Sequence, residues 1–240
     1  MVVVKVQNLV KSYKGIKVLD GIDFLLEKGK IYGLVGLNGA GKTVLMNILA
    51  GVILPESGSV EILGQQDSKK SVAPRNRMGF LIEEPIFYPN LDARENLRLV
   101  QLVKGKEKKE EIEQVLSMVG LDGINERKKA LKAYSLGMRQ RYGIAVALIG
   151  SPEILILDEP TNGLDIEGLK EMRKLLEELR NSGVTMLISS HILGDLYKIA
   201  EEFLFLKKGH IVGQWNHKEV EERLDRGEEI EELFSKIIGE

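Results

Sequence analysis

The chain has 240 residues, of which 34 are basic and 36 acidic, and its formal net charge is −2. This balance gives no electrostatic reason to expect a nucleic acid as partner, and the lack of cysteine excludes disulfides, thiolate metal sites and cysteine nucleophiles. No stretch approaches about 18 uninterrupted apolar residues, and the apolar patch Val2–Val4 is too short for a signal-peptide core. We therefore expect a cytoplasmic protein that reaches a membrane only through another chain.

Short apolar runs between residues 2 and 81 predict β-strands interrupted by one helix. Ile31–Val35 is nearly all apolar, which is typical of a strand buried on both faces of an α/β sheet. The helix is expected over Thr43–Ala50, directly after a glycine-rich segment. The predicted strands are Val2–Val6, Val18–Leu26, Ile31–Val35, Val60–Leu63 and Met78–Leu81.

Helical patterns fill the middle of the chain. Asp92, followed three residues later by Glu95, is the capping-box pattern that begins a helix. Apolar residues then recur at helical spacing from Ile112 to Val119 and stop at Gly120, which is a common residue after a helix end. We predict a helical subdomain over about residues 87–149.

Strand character returns after residue 150, at Ile154–Leu157, Thr185–Ser189 and Phe203–Leu206. An amphipathic helix is expected from Leu169 to Leu179, between the first two of these strands. Strands that alternate with helices predict a mostly parallel sheet with helices packed on it. The charged tail beyond about residue 216 carries an apolar stripe, so we expect a helix that packs on the rest of the protein.

Residues 36–43 fit the phosphate-loop pattern G-x-x-x-x-G-K-[ST] between a buried strand and a helix. Glycines let several backbone N–H groups approach a phosphate closely, and the helix N-terminus adds a positive dipole end. Lys42 is predicted to bridge the β- and γ-phosphates, and the Thr43 hydroxyl to bind Mg²⁺. The predicted nucleotide-binding residues of this segment are Gly36, Leu37, Asn38, Gly39, Ala40, Gly41, Lys42, Thr43 and Val44.

Two carboxylates end the apolar strand Ile154–Leu157. A buried strand can deliver Asp158 to the edge of the sheet beside the phosphate loop, where it would hold Mg²⁺. Glu159 lies one residue further and could polarise the attacking water as a general base. The alternative is an ordinary strand end with two solvated acids.

Four motifs in order resemble the ATP-binding cassette of ABC transporters. They are the phosphate loop, Tyr134–Arg141 (YSLGMRQR), Leu157–Asp165 (LDEPTNGLD) and Ser189–His191 (SSH). The resemblance covers residues from about 4 to 215. It implies a P-loop NTPase of the α/β class, with a RecA-like core of mostly parallel sheet, an N-terminal antiparallel β part and the inserted helical subdomain.

The same resemblance implies an ATP hydrolase domain over residues 1–215 and a helical tail over residues 216–240. Its cofactors are expected to be ATP and Mg²⁺. Its expected partners are a second ABC ATPase subunit, identical or paralogous, and an integral membrane permease that holds the protein at the inner face of the membrane.

Further site residues follow from this resemblance. Tyr13 stands where the family places an aromatic residue against adenine, although it could also be a locally packed strand-edge tyrosine. Ser135 and Gly137 are expected to bind the γ-phosphate of ATP held by the other subunit, and Asp165 to lie in the loop that crosses between subunits. His191 stands at the position of the family's switch histidine, so it is expected to contact the γ-phosphate. Without the resemblance, a histidine after a strand would be interpreted as structural. The remaining histidines, His210 and His217, are interpreted as surface residues.

The sequence departs from the commonest family pattern at three positions. Leu136 and Met138 stand in the signature motif where glycine and glutamine are usual. Glu83 replaces a glutamine that contacts Mg²⁺ and senses the membrane partner, so the metal site is expected to comprise Thr43, Glu83 and Asp158. Glu83 and the YSLGM signature resemble the branch of bacitracin- and lantibiotic-export ATPases.

Two rival functions remain at this point. One is a cassette ATPase that acts on ribosomes or DNA, although such relatives usually carry two cassettes or a long coiled coil. The other is a nucleotide-regulated module without turnover, against which the presence of both Glu159 and His191 argues. A neighbouring gene for a protein with about six apolar spans of roughly 20 residues would favour transport over either.

Overall fold

The computed structural model describes residues 1–66, 73–105, 107–123, 129–191, 193–225 and 228–239, and it contains two β-sheets. The antiparallel sheet has the strand order β2-β1-β4-β5, with β1 Val2–Tyr13, β2 Ile16–Glu27, β4 Ser57–Ile62 and β5 Gln65–Gln66. The second sheet has the order β10-β9-β3-β8-β7-β6, with β3 Ile31–Val35, β6 Met78–Leu81, β7 Ile154–Asp158, β8 Thr185–Ser190, β9 Glu202–Lys207 and β10 His210–Asn216.

Helices follow or connect these strands. In chain order they are α1 Lys42–Ala50, α2 Ala93–Val103, α3 Lys109–Met118, α4 Leu136–Leu148, α5 Ile166–Asn181, α6 Leu193–Tyr197, α7 His217–Leu224 and α8 Ile230–Ile238. Within the described ranges, no helix is both long and apolar enough to cross a bilayer. The expected α/β class with a mostly parallel sheet is confirmed.

Five neighbouring strands of the second sheet run parallel, and only β10 runs against its neighbour. The carboxyl ends of β3, β8, β7 and β6 therefore meet along one edge. The pairing of β7 with β8 places Asp158 opposite Ser189. The motifs that are far apart in sequence therefore lie close together, because each follows a strand that ends at this edge. These strands end at Val35, Leu81, Asp158 and Ser190.

The second sheet separates two apolar cores. Alternate side chains of a strand point to opposite faces. Leu155 and Leu157 pack in the core that α2 to α8 complete, whereas Ile154 and Ile156 pack in the core shared with α1 and the antiparallel sheet. Strand β7 is therefore covered on both faces, which explains why four of its five residues are apolar.

Two helices in the middle of the chain begin with side-chain caps, of which the one at Asp92 and Glu95 was predicted. The Asp92 carboxylate accepts a hydrogen bond from the Glu95 N–H, and the Glu95 carboxylate accepts one from the Asp92 N–H, both at 2.9 Å. The Ser135 hydroxyl accepts from the Met138 N–H at 3.3 Å at the start of α4. These caps satisfy amide groups that the first helical turn leaves without a partner.

The structure differs from the predicted elements at the sheet edges and in the tail. Strand β1 continues past Val6 to Tyr13 through bulges, with Asn8 in a left-handed conformation (φ 46°), so its period-2 pattern is broken. Strand β10 was missed because none of its residues is buried. The surface interpretation of His217 was wrong, since its ring is half-buried and stacks on Tyr197 with centroids 4.5 Å apart.

The tail packs on the second sheet through α8. Leu233 and Phe234 are buried, and the Phe234 ring lies 5.0 Å from that of Phe205 in β9. The Lys207 ammonium, at the end of β9, donates a hydrogen bond to the Gly239 carbonyl at the end of the tail. The apolar stripe predicted in this charged segment is therefore the face that contacts the core.

Candidate functional site

The phosphate loop joins β3 to α1 in a shape that requires glycine. Gly41 caps α1 with a φ of 108°, and a Cβ atom there would lie 2.8 Å from the Leu19 side chain and 2.9 Å from the Val18 carbonyl oxygen. A Cβ at Gly36 would lie 2.5 Å from the Leu206 carbonyl oxygen. Both glycines thus permit close backbone approach, which lets the loop pass tightly between β3 and the N-terminus of α1.

Lys42 is a buried cation at the centre of this loop, with only 6% of its surface exposed. Its Nζ donates to the Gly36 carbonyl at 2.7 Å and lies 3.9 Å from Glu159 Oε1. Burial lowers the pKa of Lys42, while the charges of Glu159 and Asp158 act in the opposite direction. The arrangement holds a positive charge ready for an anion with little solvent to screen it.

Asp158 is held by hydroxyl groups on both of its oxygens. Thr43 Oγ1 donates to Oδ2 at 2.9 Å, and Ser189 Oγ donates to Oδ1. The same Ser189 oxygen accepts the Glu159 N–H at 2.9 Å. Ser189 is fully buried, so one side chain fixes the positions of both acids. Sequence reasoning assigned no role to Ser189, because its contact depends on the pairing of β8 with β7.

The Thr43–Asp158 pair fits a magnesium ion that is shared with a nucleotide. Mg²⁺ commonly takes one or two protein oxygens and completes its shell with phosphate oxygens and water. In the described parts of the chain no three His, Cys, Asp or Glu side chains converge on a metal position. With its two oxygens, the Thr43–Asp158 pair is suited to a metal ion whose remaining ligands come from a nucleotide and water.

Glu159 and His191 form a hydrogen-bonded pair beside Lys42. Glu159 Oε2 lies 2.9 Å from His191 Nδ1. The backbone of Glu159 is left-handed, with a φ of 47°, which is uncommon for a residue other than glycine and is often found at functional sites. The conformation turns the carboxylate from the end of β7 toward the loop, and the histidine and lysine then fix its orientation.

A Ser189→Ala variant is expected to lower the rate of ATP hydrolysis by about 10–100-fold, because Asp158 and Glu159 each lose a hydrogen bond that orients them. The rate is to be measured with purified protein under saturating nucleotide. Ser182→Ala is a matched control, since its hydroxyl also donates one hydrogen bond, to the Leu179 carbonyl, but away from the site. Equal rates for the two variants would contradict the orienting role.

Tyr13 ends β1 on the antiparallel sheet and is 43% exposed, with the Lys11 ammonium 5.2 Å from its ring centroid. The cleft at the phosphate loop is lined by Val18 of β2, by Glu159 and by residues of the loop and the first turn of α1, namely Leu37, Asn38, Gly39, Gly41, Lys42, Thr43 and Val44. Val18 was not singled out from sequence, because only the fold brings β2 against the loop.

Glu83 follows β6 at the same edge of the sheet as the other predicted metal residues. It is exposed and left-handed, with a φ of 63°. Among the described contacts, it takes no part in the hydrogen bonds that link Thr43, Asp158 and Ser189. The structure therefore places Glu83 near the correct end of the sheet but not within the hydrogen-bonded group.

Ser135, Gly137 and Asp165 lie together in a second recess, which shares no residue with the cleft at the phosphate loop. The recess is formed by the N-termini of α4 and α5, where Asp165 accepts a hydrogen bond from the Gly168 N–H at 2.8 Å. The predicted site residues thus fall into two groups on one chain. One group surrounds the phosphate loop, and the other surrounds two helix N-termini.

A phosphate loop after one parallel strand, with an acidic pair at the end of another, defines the chain as a P-loop nucleoside triphosphatase. The sequence model of the ABC transporter family matches residues 19–162, and the chain belongs to that family. It is an ATP-binding and ATP-hydrolysing member, and the resemblance derived from the four motifs is confirmed.

Similar proteins include transport ATPases of bacteria. The lantibiotic transport ATP-binding protein SrtF of Streptococcus pyogenes is 41% identical over 234 residues, which are 98% of this chain and 96% of that protein. The bacitracin transport ATP-binding protein BcrA of Bacillus licheniformis is 43% identical over 211 residues, or 88% of this chain and 68% of that protein.

Solved structures show the same fold. An ATP binding subunit of an ABC transporter superposes with a TM-score of 0.85 and 26% identity, covering 98% of this chain and 99% of that one. A bacterial ABC transporter cassette solved as a dimer has a TM-score of 0.81 and 25% identity, covering 89% of this chain and 98% of that one.

Proposed function

We propose that two ABC subunits, two copies of this chain or this chain and a paralogue, close around two ATP molecules and drive export through a separate integral membrane permease. The observation that carries this proposal is the division of the site residues into two separate groups. Lys42 and Glu159 line the cleft at the phosphate loop and Asp158 is hydrogen-bonded to Thr43 there, whereas Ser135 and Gly137 line another recess. A second subunit would bring its own Ser135 to the ATP on this phosphate loop and so complete the site.

Phosphate binding in this proposal depends on the loop amides, the α1 N-terminus and Lys42. Thr43 and Asp158 would hold Mg²⁺, which when bound neutralises charge on the β- and γ-phosphate oxygens. Glu83 would offer an additional oxygen from the neighbouring strand end. Tyr13 would stack on the adenine from the antiparallel sheet, where its ring is partly exposed.

Hydrolysis would begin when the Glu159 carboxylate accepts a proton from the attacking water. The ion pair with Lys42 and the hydrogen bond to His191 keep this carboxylate in one orientation. Because Nδ1 of His191 donates to the Glu159 carboxylate, Nε2 is the nitrogen left to face the terminal phosphate, to which it would donate when the imidazole is protonated. The separated product phosphates would then repel, and the two subunits would open.

The cargo is proposed to be a peptide antibiotic. This follows from the proteins SrtF and BcrA, whose names specify lantibiotic and bacitracin transport and which share over 40% identity with this chain. Docking to the permease would place the protein at the cytoplasmic face of the membrane. Asp165, at the start of α5, would lie in the loop that reaches from one subunit to the other.

The test is to express the chain with the membrane protein encoded beside it in a sensitive bacterium and to measure survival on lantibiotics and on bacitracin. Survival is expected to rise only when both proteins are present and Glu159 is intact. If resistance is the same with and without the chain, export of these peptides is contradicted. The ATPase rate of the purified chain, measured in parallel, separates a wrong cargo from a wrong enzyme.

A further inference from the structure

The turn between β9 and β10, formed by Lys208 and Gly209, contacts the phosphate loop although no sequence motif marked it. The Gly209 N–H donates a hydrogen bond to the Ala40 carbonyl at 3.1 Å, and the Gly209 carbonyl accepts one from the Asp20 N–H at 2.9 Å. One residue thus joins the backbone of the loop to the backbone of β2.

Gly209 is also packed too tightly to carry a side chain. Its φ is 81°, and a Cβ atom would lie 2.6 Å from the Val18 carbonyl oxygen and 3.3 Å from the Leu19 Cα. The obstructing atoms belong to the backbone of β2, which cannot rotate away as a flexible side chain can. The Val18 oxygen lies 2.9 Å from the Cβ position of Gly41 as well, so it sits between the turn and the loop.

The strand before the turn supports the other end of the loop. The Leu206 carbonyl oxygen is 2.5 Å from the position that a Cβ of Gly36 would occupy. The loop is therefore contacted at its first glycine by β9 and near its last glycine by the turn and by β2. A displacement of the turn would be passed directly to the backbone of the phosphate loop at Ala40.

We propose that Gly209 is a positioning residue for ATP binding and hydrolysis, which acts by holding the Ala40 carbonyl and thereby the orientation of the phosphate-loop amides. The proposal rests on the role of the loop in binding ATP, and it is independent of dimer formation and of export. Small misplacements of groups that orient a substrate reduce binding or turnover strongly, by as much as about 10²-fold for 1 Å.

The test compares Gly209→Ala with Gly64→Ala. Leu63 and Gly64 form a two-residue turn with φ values of 51° and 76°, close to the 47° and 81° of Lys208 and Gly209. A Cβ at Gly64 meets nothing within 4 Å, so this variant reproduces the backbone strain of the alanine without the collision. The dissociation constant for ATP is to be measured by calorimetry, well below the Tm of either variant.

Gly209→Ala is expected to raise the Kd for ATP on the order of 10–100-fold, with Gly64→Ala within about twofold of the wild type. Equal Kd values for folded Gly209→Ala and wild type would overturn the proposal. If the wild type itself failed to bind ATP, the assignment of the loop would be wrong instead.

Hydrogen exchange of the wild-type protein provides a second test that does not depend on whether the alanine variant folds. ATP is expected to slow exchange of the Gly209 amide together with the amides of the phosphate loop, because both belong to one hydrogen-bonded unit. The Gly64 amide, in the matched turn, is expected to be unchanged. Slower exchange in the loop with no change at Gly209 would overturn the proposal.

Discussion

A Glu159→Gln variant is expected to hydrolyse ATP about 10²–10⁴-fold more slowly than the wild type while it retains affinity for ATP. The amide is similar in size to the carboxylate and can still contact His191, but it cannot accept a proton from water. Glu177→Gln, an exposed position on the outer side of α5, is the matched control and should turn over normally. A normal rate for Glu159→Gln would show that another group is the base.

The same variant reports on subunit pairing, because ATP that is not hydrolysed keeps a shared site closed. Size-exclusion chromatography with light scattering should give twice the 26.8-kDa monomer mass with Mg²⁺-ATP, and the monomer mass with ADP or without nucleotide. A monomer under all three conditions would contradict self-pairing and indicate a paralogous partner. ATP binding would still stand in that case.

A Lys42→Ala variant is expected to lose affinity for ATP by roughly 30-fold to several thousand-fold, which corresponds to the 2–5 kcal/mol typical of removing one member of a buried charge pair. The loss should affect ADP as well, since phosphate-loop cations contact more than the terminal phosphate. Isothermal calorimetry measures both constants, and circular dichroism checks the fold. Lys174→Ala, whose ammonium is exposed on α5, is the control.

The pH dependence of binding follows from the environment of Lys42. Burial lowers the pKa of its ammonium, which must be charged to bind phosphate, so ATP affinity should fall at an alkaline pH where ordinary lysines are still protonated. Affinity that stays constant until the general titration of lysines would contradict it.

Local patterns predicted the phosphate loop, the capping box at Asp92 and the buried strands, because each depends on residues close in sequence. The loop needs glycines and a lysine between a strand and a helix, and the bounds of Ile31–Val35 and Met78–Leu81 agree with the prediction. The end of an apolar strand likewise indicated Asp158 and Glu159. Each of these features can be predicted from the residues of a single segment.

Features that depend on which segments meet could not be predicted in this way. Ser189 orients two acids only because β8 pairs with β7 in one register, and Val18 lines the cleft only because β2 lies against the loop. Strand β10 has no fully buried residue, and its half-buried positions alternate with exposed ones but include a glycine, so the hydrophobic alternation is weak. The role inferred for Gly209 arises from three backbone segments that are far apart in the chain.

The contact between Lys207 and the Gly239 carbonyl has a practical consequence for labelling the protein. Gly239 and Ile238 line one recess with Leu37, Asn38 and Gly39, so a fluorophore attached at either of these tail positions would lie next to the phosphate loop. Met1 is 83% exposed at the start of β1. A fluorophore in this part of the tail would therefore respond to nucleotide, whereas one at Met1 would serve as its insensitive control.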